Sequence, residues 1–212
     1  MAKLPIRFVM LVSPIPERQA NAQEIKKVIP DLELVEADRR TCDLFMVHLK
    51  TMQTDPEKYR GVCMIEDDVI LCNDFMKRFW QVMKDHDQDI VNFFEHALAT
   101  RPLSCGYDIG GRFYSSVCYY VPAKMTPMFL EPEMLRMFHS FYNDMDFAAT
   151  YPIDAYIQFV LNRKGLKYWR QFPWLVQHMD LESTFEGRVA GRQSKFFIDD
   201  MEAQDGKTEE RD

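Results

Sequence analysis

Apolar residues along the chain fall into short dense runs separated by polar stretches with helical spacing. Ile6 to Val12 is an apolar, β-branched run, the pattern of a strand buried on both faces. Ser13-Pro14-Ile15-Pro16 breaks it, and a helix is expected from about Glu17 to Val28. Leu32 to Glu36 reads as a second strand. Thr41 to Met52 reads as a second helix, opened by Thr41 or Asp43. Gly61 to Ile65 is a third strand with Glu66-Asp67-Asp68 at its end. Asp74 to Asp85 is helical, capped at Asn73 or Asp74, and Asp89 to Phe94 is a fourth strand. The second half is less regular. Gly110 to Val121 suggests a glycine-opened strand pair. Pro152 to Lys164 is helical, with Pro152 in its first turn and Gly165 as its stop, and Lys167 to Phe172 is a short strand.

Alternation of apolar strands with helices predicts an α/β fold: a mostly parallel central sheet flanked by helices, Rossmann-like, with a smaller irregular region. Ligands on such sheets sit at the carboxyl ends of the strands. The 212 residues suit one domain, expected over 1–198, and the polar, charged residues 199–212 read as a disordered acidic tail. Apolar residues make up 47% and charged residues 28%, which excludes a disordered, collagen-like or coiled-coil chain. The longest apolar runs are far too short for a transmembrane segment, and the N-terminus does not read as a secretory signal. The net charge of −7 disfavours a protein that grips nucleic acid mainly through its phosphates. Five cysteines without CxxC spacing argue against a disulfide framework or zinc site, and a reducing, cytoplasmic setting fits them.

The acidic triplet Glu66-Asp67-Asp68 carries the most chemical information. Three adjacent carboxylates behind a buried strand repel one another unless something neutralises them. In extended backbone, Glu66 and Asp68 would share one face and Asp67 would point to the other. Two carboxylates on one face suit a hard divalent cation, Mn²⁺ or Mg²⁺.

An apolar strand ending in Glu-Asp-Asp, followed by an apolar residue and a helix, resembles the metal motif of GT-A glycosyltransferases. It is similar to the variant in the lipopolysaccharide-type glycosyltransferases of family 25. Two further stretches share in the likeness, which spans roughly residues 6–197. The opening strand runs through Ser13 into a loop bearing Arg18, resembling the nucleotide end of a donor site. Pro173-Trp174-Leu175-Val176-Gln177-His178, followed by Asp180-Leu181-Glu182-Ser183-Thr184, is similar to the closing segment of those enzymes.

The resemblance implies a hexosyltransferase that moves a sugar from a nucleotide-diphosphate sugar to an acceptor hydroxyl with a divalent cation. It implies Asp68 and His178 as metal ligands. It places Ser13, Arg18, Glu66 and Asp67 at the donor, with Asp67 alternatively holding the loop. It also implies an inverting mechanism in which Asp154, in the first turn of its helix, is the general base; Asp144 and Asp146 are weaker rivals. A first-turn carboxylate is equally a dipole-stabilising one.

Gly110 and Gly111 would let backbone approach the sugar, or else form a hairpin turn. Arg188 and Arg192, with Lys195, lie in a glycine-interrupted stretch suited to closing over a diphosphate, or to a solvated connector. The acceptor is a saccharide or a modified base in DNA. Two other classes stay open: a metal-dependent nucleotidyltransferase or phosphohydrolase, although no GxxxxGK[ST] is present, and a non-catalytic nucleotide-sugar binding module.

Overall fold

The computed structural model describes residues 3–37, 44–94, 105–108, 113, 117–143, 153–179 and 197–199. Strand β1 (Ile6–Val12) leads into helix α1 (Pro16–Val28), whose fixed-φ proline sits in its first turn, where the missing N–H has no partner to lose. Then come β2 (Glu33–Glu36), α2 (Leu44–Met52), β3 (Gly61–Glu66), β4 (Val69–Leu71), α3 (Phe75–His86) and β5 (Ile90–Asn92). The second half holds β6 (Gly106–Asp108), β7 (Cys118–Pro122), a 3-10 segment (Ala123–Leu130), α4 (Pro132–Asn143), α5 (Ile153–Lys164), β8 (Tyr168–Arg170) and β9 (Val176–His178).

Seven strands form one sheet in the order β2-β1-β3-β7-β5-β8-β6. β1, β2, β3, β5 and β8 run one way, while β7 and β6 run against them. The α/β architecture with helices on both faces is therefore as expected. Strand alternation sorts the core into two layers. Phe8, Met10, Cys63 and Ile65 face α1 and α3, meeting Ala22, Ile25, Phe75, Phe79 and Met83. Val9, Val62 and Met64 face the other way, against Phe45 and Leu49 of α2, Phe129, Phe138, and Tyr156 and Ile157 of α5.

Several elements differ from expectation. β4 and β9 pair antiparallel as a separate two-stranded ribbon, with Val69 opposite His178. Of the strand pair expected within 110–121, only Phe113 and residues 117–121 are described, and they hold β7. β7 pairs with β3 and β5, whereas β6 lies at the sheet edge on β8. α4 and the 3-10 segment were not expected. Of the predicted tail, only Asp199 is described, and its carboxylate accepts from the backbone N–H of Asn73 at 2.9 Å. No described helix is long and apolar enough to cross a membrane.

Candidate active site at the end of strand β3

β3 carries its alternation through Glu66, and residues 67 and 68 then form a bend that turns the chain into β4. Alternation sends Glu66 to the side of Val62 and Met64, and Asp67 to the side of Cys63 and Ile65, where α1 lies.

Asp67 is fully engaged on that side. Its Oδ2 accepts from the Ser13 backbone N–H at 2.7 Å and from the Ser13 hydroxyl at 2.5 Å. Its Oδ1 takes a guanidinium N–H of Arg18 at 2.6 Å. The side-chain amide of Asn21 donates to the backbone carbonyls of Asp67 and Val69 at 3.0 and 2.8 Å, and so ties α1 to the bend. Sequence reasoning missed Asn21. It lies one turn from Arg18, which is the signal that could have found it.

Arg18 reaches Asp68 as well, its second terminal nitrogen lying 2.8 Å from Oδ2. The side chains of Arg18, Asp67 and Asp68 are only 8%, 6% and 5% exposed. Burial works to lower the Arg18 pKa, but the charges of Asp68 and Asp67, the hydrogen bond to Asp67 and the charge of Glu66 hold it above its ordinary value. Removing one member of such a buried network typically costs about 3–5 kcal/mol, because it strands the opposite charge.

His178 arrives through the β4–β9 ribbon. The ladder continues past Val69 with the N–H of Met179 donating to the Asp68 carbonyl at 2.7 Å. His178 Nδ1 lies 2.5 Å from the Met179 carbonyl oxygen. A carbonyl only accepts, so Nδ1 carries a proton. In the neutral ring, Nε2 then has a lone pair, and it lies 3.4 Å from Asp68 Oδ2. A lone pair facing a carboxylate is relieved by a cation held by the two side chains.

Glu66, Asp68 and His178 each offer one ligand atom, and these atoms lie within 4.8 Å of one another. Asp68 Oδ1 is buried and has no hydrogen-bond partner among the described residues. Three carboxylates and one guanidinium leave two negative charges. Oxygen donors, one imidazole nitrogen, an orphaned buried oxygen and a charge of −2 together fit a single divalent cation.

The remaining expected site residues distribute as follows. Ser13 is half-buried against Asp67. Asp154 is half-buried in the first turn of α5, where its Oδ1 accepts from the Ala155 N–H at 2.8 Å. Gly110, Gly111, Arg188 and Arg192 lie outside the described residues, as do Asp144, Asp146 and Lys195. A cavity of about 280 Å³ against α3 and β8, lined by Arg78, Gln81, Asp85, His86, Trp169 and Gln171 among others, shares no residue with the acid cluster.

No protein-family model matches the chain, and no curated protein does. The family 25 likeness thus stands on the sequence motifs alone. Solved structures with a similar chain course include glycosyltransferases. Mouse xyloside xylosyltransferase 1, in its apo form, is 8% identical with a TM-score of 0.45, covering 77% of this chain and 84% of that one. A glycosyltransferase involved in glycosylation of the PBCV-1 major capsid is 13% identical with a TM-score of 0.49, covering 84% and 94%. A197 from STIV is 13% identical with a TM-score of 0.41, covering 87% and 98%.

Proposed function

We propose that this chain is a divalent-cation-assisted glycosyltransferase that moves a sugar from a nucleotide-diphosphate sugar to an acceptor hydroxyl, with a saccharide as acceptor. The observation that carries this reading is the meeting of Glu66, Asp68 and His178 at the carboxyl end of β3, with Asp68 Oδ1 lacking a partner among the described residues. Motif order in the sequence supports it independently.

Asp68 and His178 would hold the cation, with Glu66 beside them toward the donor ribose or a water on the cation. When bound, the cation supplies Lewis-acid neutralisation of the leaving diphosphate. The Nδ1–H bond to Met179 aims His178 Nε2 at Asp68. Arg18, held by Asp67 and Asp68, keeps the bend in place, and Ser13 and Asn21 anchor it to β1 and α1. Arg188 and Arg192 would close over the diphosphate, and Gly110 and Gly111 would admit the sugar. Asp154 would accept the proton of the acceptor hydroxyl, giving inversion.

The test is a thermal-shift panel of nucleoside diphosphates and nucleotide sugars with Mn²⁺, with Mg²⁺ and with chelator. A ligand that binds only the native state raises Tm by mass action. One nucleotide should raise Tm in the presence of metal, and Asp68→Ala should abolish that rise while the variant still melts cooperatively. If no nucleotide shifts the wild type under any metal condition, the reading fails.

A further inference from the structure

The acid cluster has two tiers. Glu66 and Asp68 join His178 in the group that faces a cation, while Asp67 gives both oxygens to Ser13 and Arg18. Arg18 spans the tiers, with one terminal nitrogen on Asp67 and the other on Asp68. A permanent positive charge therefore sits one carboxylate away from the cation position. A guanidinium does not lose that charge in the accessible pH range. All three side chains are nearly inaccessible to water, so solvent and salt screen them poorly.

Arg18 acts on a bound cation in two opposing ways. Its contact with Oδ2 orients Asp68 and leaves Oδ1 for the cation, which favours binding. Its charge repels the cation, which disfavours binding. A short carboxylate side chain loses little rotamer entropy when fixed. The repulsion between a divalent ion and a unit charge a few ångströms away, at the effective dielectric of a partly buried site, is the larger effect.

We propose that Arg18 and Asp67 set the affinity of the cation site without touching the cation, Arg18 holding it down and Asp67 offsetting Arg18. This rests on the proposed cation role of Glu66, Asp68 and His178. Its functional sense is exchange: a cation that must travel with a departing diphosphate is better held loosely than irreversibly.

Mn²⁺ binding measured without substrate, by the loss of the free-ion electron paramagnetic resonance signal at fixed ionic strength, tests the inference. Arg18→Gln should tighten Mn²⁺ and Asp67→Asn should weaken it, each by about tenfold or more, and the double variant should return to within roughly threefold of wild type. A merely structural pair would lower Tm in all three variants without ordering their affinities by charge. If Arg18→Gln alone does not fold, Asp67→Asn and the double variant still carry the comparison, since the double variant strands no Asp67 charge. Equal affinities in wild type and variants overturn this inference and leave the cation site standing. A wild type that takes no Mn²⁺ overturns both.

Discussion

At the scale of single residues, the unexpected feature is where charge is buried. Arg18 reads by eye as a first-turn surface residue, yet it shares the inward stripe of α1 with Ala22 and Ile25. The spacing i, i+4, i+7 was present in the sequence and marks Arg18 as a buried cation needing an anion. The partners were also legible, because alternation from Ile65 assigns Asp67 to the α1 side. The grouping of Glu66 with Asp68 was anticipated, but the bend at 67–68 produces it rather than continued extended backbone. His48 is another buried titratable group and was not anticipated. Its Nε2 lies 2.6 Å from the Tyr119 hydroxyl, which burial and then the charge of Glu66 keep protonated. Burial lowers the His48 pKa to about 4 from 6.5. Between those values the unfolded chain binds a proton that the native one refuses, so stability falls as pH drops through this window. The loss should approach about 3 kcal/mol by pH 4. Urea unfolding of wild type and His48→Gln from pH 7 to 4 measures it. The variant's curve should be flatter, and parallel curves would show that His48 is not buried neutral.

At the scale of elements, the long helices and strands other than α4 were legible, and the three-residue strands β4, β6 and β9 were not. β1, α1, β3, α3 and α5 match their expected ranges to within a residue or two because each carries several turns or a full apolar run. β4, β6 and β9 are three residues each, too short for any period to show. The ribbon of β4 and β9 exists only through a pairing between distant parts of the chain, yet it is what delivers His178 to Asp68. The motif that suggested His178 as a ligand was readable, whereas the strand that positions it was not. β3, which carries the acids, depends on a close approach by β7. A Cβ at Gly61 would clash with Cε2, Cζ and the hydroxyl oxygen of Tyr120, and that ring is pinned by hydroxyl bonds to the Arg60 and Asp87 carbonyls at 3.1 and 2.9 Å. Gly61→Ala should therefore destabilise by about 1–3 kcal/mol through overpacking. Chemical denaturation reads this directly, and an unchanged midpoint would mean that the ring has room to retreat.

At the scale of the whole molecule, the sheet separates two tasks between its faces. The α1 face holds the charge network of Ser13, Arg18, Asn21 and Asp67, while Glu66 points to the other face together with Val62 and Met64. That second face is the one on which α5 is seated, through Tyr156, Ile157, Val160 and Leu161. Asp154 lies in the first turn of α5, where the helix dipole favours an ionised carboxylate, the form a general base needs. A carboxylate that served only the helix would be replaceable by asparagine at small cost, since either side chain can accept from the Ala155 N–H. A base is not replaceable in this way, because an amide cannot take the acceptor's proton. Asp154→Asn should therefore keep its Tm and its metal-dependent nucleotide binding while kcat falls roughly 10²–10⁴-fold, the usual reach of general-base catalysis. Measuring the melting curve, nucleotide affinity and transfer rate on one preparation separates the two roles. Transfer at the parental rate would take the base away from Asp154. A fall in Tm and nucleotide binding along with kcat would make the residue a support for α5.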